Sequence, residues 1–87
     1  MSKKEKLLQR FLATPPVKDF RWDDFATLMD QLGFDLREKK GGSSHKYFEF
    51  REDKNVVIDI HRPHPSGILW SVQIKAVREK LKELGVL

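Results

Sequence analysis

His45, His61 and His64 are the side chains best suited to proton transfer in a chain that contains no cysteine. His45 stands in the run Gly41-Gly42-Ser43-Ser44-His45-Lys46, with Lys39 and Lys40 just upstream. Gly42, Ser43 and Ser44 offer backbone donors, and Lys39, Lys40 and Lys46 offer positive charge, so this segment could hold a phosphate next to an imidazole. A free imidazole titrates near pH ~6.5, which suits it to taking a proton from a ribose 2′-hydroxyl or giving one to a leaving 5′-oxygen. The same run also reads as an ordinary turn followed by an exposed strand histidine, and residue types alone do not separate the two.

Other chemistries find less support. There is no serine-histidine-acid motif and no phosphate-loop signature. His61, His64 and Asp59 lie close enough in the chain to suggest a metal site, but Pro63 intervenes and further ligands are lacking, so no metal is expected. His61 is the candidate second proton carrier, against the plainer reading that His61 and His64 fill a proline-containing turn. Tyr47, Phe48 and Phe50 have the types found in base-stacking platforms, yet Phe48 and Phe50 share a parity expected for the core. Trp70 fits either a core plug ahead of the last helix or an interface.

These candidates need a scaffold, and 87 residues allow one two-layer core. A hydrophobic share of 39% in short patterned runs argues for a folded chain over a disordered one. No run approaches the roughly 20 apolar residues needed to span a bilayer, and charge interrupts the N-terminus too soon for a signal peptide. A cytoplasmic location is therefore expected, with no membrane partner and no small-molecule cofactor. The net charge of +4 favours an anionic partner, and a polyanion such as RNA gains most through counterion release.

The elements follow from periodicity. Leu7, Leu8, Phe11 and Leu12 form one stripe of a short amphipathic helix ended by Thr14-Pro15-Pro16, so residues 1–16 read as an N-terminal helix and proline linker and 17–87 as the functional domain. Phe25, Leu28, Met29 and Leu32 mark a second helix, with Asp23 and Asp24 in its first turn and Gly33 at its end. Phe34 to Arg37 alternates as a strand and leads into the loop Glu38 to Ser43. Ser44 to Phe50 and Val56 to Ile60 flank the polar turn Arg51 to Asn55 as a hairpin. A last helix capped by Ser71 carries Ile74, Val77, Leu81 and Leu84 and stops at Gly85.

Symmetric closure of that hairpin pairs Phe50 with Val56, Phe48 with Ile58, Tyr47 with Asp59 and His45 with His61. Phe48, Phe50, Val56, Ile58 and Ile60 then form the core face. His45, Tyr47, Glu49, Val57, Asp59 and His61 gather on the other. The expected fold is α+β: an α-β-β-β-α order with a three-stranded antiparallel sheet, helices on one face, and a short extra N-terminal helix. Double-stranded-RNA-binding domains share that order, which alone assigns no function.

An ordered series of short segments adds a resemblance. Phe20-Arg21-Trp22-Asp23-Asp24, Leu32-Gly33-Phe34, Gly42-Ser43-Ser44-His45-Lys46-Tyr47-Phe48, Ile60-His61-Arg62-Pro63-His64, Gln73-Ile74-Lys75-Ala76-Val77-Arg78 and Leu84-Gly85-Val86-Leu87 resemble the HicA toxin family. The resemblance spans Phe20 to Leu87 and leaves out the helix before Pro15. It implies a double-stranded-RNA-binding-domain-like fold and a metal-independent endoribonuclease that cuts messenger RNA, restrained by a HicB-type antitoxin protein. The catalytic histidine of the family's Gly-Ser-His element corresponds to His45, here with two serines after Gly42. Two other readings stay open: a non-catalytic RNA-binding module, and a protein-interaction domain of the same fold.

Overall fold

The computed structural model describes residues 3–38, 45–63 and 66–87, with Lys3, Lys4 and His45 described by their backbone alone. The chain runs α1 (Lys3–Phe11), α2 (Trp22–Gln31), β1 (Phe34–Glu38), β2 (His45–Phe50), β3 (Asp53–His61) and α3 (Ser71–Glu83). It is an α+β molecule with one antiparallel sheet in the order β1-β2-β3. No described helix is long and apolar enough to cross a membrane.

Strand alternation sorts the sheet into two faces. Phe34, Phe48, Ile58 and Ile60 are buried with Phe25, Leu28 and Met29 of α2 and Ile74, Val77 and Leu81 of α3 in one core. The Phe25 ring meets Phe48 edge-on at 5.2 Å, and Trp22 lies 5.9 Å from Phe48, so α2 is seated on the middle strand by aromatic contact. Phe50 and Val56, expected in the core, are half-buried at its margin. The helices thus cover the face of Phe48 and leave the face of Tyr47 and Asp59 without helical cover.

α1 packs on the same core. Phe11 is fully buried, 5.7 Å from Phe20 and 6.0 Å from Phe25, while Leu7 and Leu8 pack at the edge. Leu12, expected on the same stripe, lies beyond the helix and is exposed. Arg10 fastens the chain that follows: its guanidinium donates to Asp19 at 2.8 Å and lies over the Phe20 ring.

Three local expectations need correction. The turn is Arg51-Glu52, and Phe50 pairs with Asp53 in place of Val56, with a register shift between Glu49 and Phe50. Asp53 accepts the Asn55 N–H in a tight local turn, while Arg51 is drawn the other way: its N–H donates to the Gly33 carbonyl at 2.9 Å and its guanidinium to Asp35 and Asp30. These two carboxylates raise the Arg51 pKa further. Glu38, expected in the loop, ends β1 opposite Lys46. Ser71 is the first residue of α3, not its cap; the extended residue before it is Trp70, whose N–H donates to the Gln73 side-chain carbonyl at 3.0 Å.

Gly33 ends α2 with φ +98°, a region side chains avoid, and an added Cβ would lie 3.3 Å from the Phe50 ring. A short bridge not foreseen from the sequence joins Arg21 to Ile68, with Trp22 N–H donating to Gly67 O and Leu69 N–H to Phe20 O. It ties the entry of α2 to the segment leading into α3.

Candidate functional site

The β-branched run of β3 and the alternating run of β2 pair as expected over most of their length. Tyr47 is opposite Asp59, Phe48 opposite Ile58 and His45 opposite His61. Directly opposed residues in an antiparallel ladder have Cβ atoms about 4.5–5.5 Å apart. Backbone positions 45 and 61 are therefore nearest neighbours, at the end of the sheet that β2 enters and β3 leaves toward Arg62-Pro63.

The next row is wider. Arg37 of β1 pairs with Tyr47, and Tyr47 with Asp59, so one guanidinium, one phenol and one carboxylate cross the sheet beside positions 45 and 61. Arg37 was not among the expected site residues. The sign that marked it was the alternation Asp35-Arg37, which set its face but not its neighbour. Arg37 also lies 3.9 Å from Glu49 on the same face, a distance that leaves its charge largely exposed to solvent.

Lys46 stands apart from this group. It pairs in the ladder with Glu38 on one side and Ile60 on the other, which gives it the parity of Phe48 and the opposite parity to positions 45 and 47. Its side chain is only 15% exposed and donates to Glu38 Oε1 at 2.5 Å. That hydrogen bond, and then the ammonium charge, hold the Glu38 carboxyl below its ordinary range. The ion pair spans the rung of the β1-β2 hairpin nearest the 39–44 connection.

His61 is anchored from behind. Gln73 of α3 donates its side-chain N–H to the His61 carbonyl at 3.0 Å and accepts the Trp70 N–H with its oxygen. One carboxamide therefore links the end of β3 to the head of α3. His61 and Asp59 are both solvent-exposed.

Lys39, Lys40, Gly42, Ser43, Ser44 and His64 lie outside the described residues, as does the His45 side chain. Among the described residues no group of three or more His, Asp or Glu side chains is arranged to hold a metal ion. The arrangement offers imidazole, phenol, carboxylate and guanidinium on one accessible face, a set able to exchange protons and attract an anion without a prosthetic group. In comparisons with known proteins, no family model, no curated protein and no solved structure matches the chain.

Proposed function

We propose that this chain is an RNA-cleaving toxin of the HicA type, a metal-independent endoribonuclease acting on messenger RNA in the cytoplasm and restrained by a HicB-type antitoxin protein. The observation that carries the reading is the ladder register, in which backbone positions 45 and 61 stand opposite one another at the end of β2 and β3. The element order α2-β1-β2-β3-α3 supports a double-stranded-RNA-binding-domain-like fold for the segment outside α1. The resemblance in the run from Gly42 to Phe48 supplies the nuclease assignment.

In this mechanism His45 takes the proton of a ribose 2′-hydroxyl as the oxygen attacks the adjacent phosphorus. His61 gives a proton to the departing 5′-oxygen. The P–O5′ bond breaks as the P–O2′ bond forms, leaving a 2′,3′-cyclic phosphate and a free 5′-hydroxyl. Charge on the phosphorane is offset by Lys39 and Lys40 with the backbone donors of Gly42, Ser43 and Ser44. Arg37, one row away, is a further cation for the entering strand. Lys46, expected to contact a phosphate, donates to Glu38 and so also contributes to the shape of the hairpin.

The test is induced expression of the wild-type chain beside His45→Ala in growing bacterial cells, with total RNA followed over time and the purified proteins assayed with and without chelator. Arrested growth, loss of messenger RNA and chelator-resistant cleavage are expected for the wild type alone, with both chains equally folded by circular dichroism. A wild type that is folded, abundant and harmless, with RNA intact, sinks the proposal.

A further inference from the structure

Trp70 is 59% exposed at the head of α3, although an indole ring gains much from burial. It borders an open groove of about 540 Å³ between the Pro15–Lys18 segment and the start of α3, walled in part by Pro16, Ile68 and Ser71. Lys18 and Lys75 flank this groove and no Asp or Glu lines it. Among the described residues neither ammonium group has an acidic partner. A purely apolar partner segment would leave both charges uncompensated, whereas a nucleotide supplies a π face for the indole and a phosphate for the lysines.

The groove is connected to the ladder pair through Gln73, which accepts the Trp70 N–H and donates to the His61 carbonyl, each at 3.0 Å. Gln73 thus bridges the His61 end of the sheet and the head of α3. We propose that the groove is a subsite for an unpaired nucleotide next to the cleavage point, its base stacked on Trp70 and its phosphate held by Lys18 and Lys75. The inference rests on the RNA-cleaving reading and adds a substrate-positioning role for the groove beside the head of α3.

The test uses a single-stranded RNA oligonucleotide carrying 2′-O-methyl groups, which binds but cannot be cut, and reads tryptophan fluorescence. Trp22 is 4% exposed, so quenching reports on Trp70. Expected results are quenching on binding in the wild type and, by fluorescence anisotropy of a dye-labelled copy of the same RNA, about tenfold or greater loss of affinity in Trp70→Ala, retention in Trp70→Phe, and weakening in Lys18→Gln with Lys75→Gln. On a cleavable RNA, Trp70→Ala should raise KM and spare kcat. All variants should unfold at the wild-type temperature, because the substituted side chains are exposed.

If the wild type binds and cleaves RNA and Trp70→Ala is indistinguishable from it, the subsite is wrong and the nuclease reading survives. If Trp70→Ala instead abolishes a concentration-dependent dimer seen by sedimentation, the groove belongs to a second copy of the chain and the subsite is again wrong. If the wild type neither binds nor cleaves RNA, both readings fall.

Discussion

Positions 45 and 61 face one another across a single ladder rung, so the loss of either imidazole should damage a different half of the proposed reaction. His61→Ala is expected to lower cleavage of RNA by about 10²- to 10⁴-fold, the usual range for a positioned general acid. A substrate with an activated aryl leaving group needs no proton there. It should restore His61→Ala and leave His45→Ala inactive; a His61→Ala enzyme that cuts RNA at the wild-type rate removes His61 from the mechanism. Gly33 illustrates a residue whose role is conformational. Its φ of +98° and the nearby Phe50 ring make Gly33→Ala destabilising by about 1–2 kcal/mol, measurable by urea unfolding.

Among the elements, the β1-β2 hairpin positions His45, and Glu38 pairs with Lys46 on the rung nearest the 39–44 connection. Because Lys46 holds the Glu38 carboxyl below its ordinary pKa of 4.5, the pair stabilises the fold fully above the unfolded value and loses that contribution as pH falls through the lower folded value. The unfolding temperatures of wild type and Glu38→Gln should therefore differ most near neutral pH and converge as the pH is taken below 4.5. A gap that persists in acid would mean that the ion pair is not its source. α1 offers a second element-scale test. Phe11 is fully buried between Phe20 and Phe25, so Phe11→Ala should cost about 3–5 kcal/mol, as for other buried phenylalanines. A value below about 1 kcal/mol would show that α1 docks without supporting the core.

For the whole molecule, the proposed RNA binding should weaken steeply with salt, given the +4 net charge and the cations Arg37, Lys18 and Lys75. For single strands log K should fall against log salt with a slope of about −0.7 for each phosphate neutralised. Replacing Lys18 and Lys75 by glutamine, which releases one phosphate, should flatten that slope by roughly 0.7. An unchanged slope would place the RNA elsewhere on the surface. The fold supports this arrangement by confining α2 and α3 to one side of a three-stranded sheet, which leaves a broad polar face accessible to an extended ligand.

Much of the fold was legible in local pattern. The helical repeat from Phe25 to Leu32 with Gly33 behind it, the two-residue alternation of β2 and β3, and the pairing of His45 with His61 all follow from side-chain period, because a slip by one residue would turn Phe48 and Ile58 out of the core. Period does not identify partners that are remote in the chain. The docking of Phe11, the bridge between Arg21 and Ile68, the engagement of Lys46 by Glu38 and the drawing of Arg51 toward Asp35 each depend on which groups meet after collapse. Trp70 shows the same division: its type allowed burial or display, and only the hydrogen bonds of Gln73 to Trp70 and His61 decided that the chain turns into α3 with the indole outside. Local sequence thus determined which residues lie on each face, and tertiary contacts determined which of those residues act together.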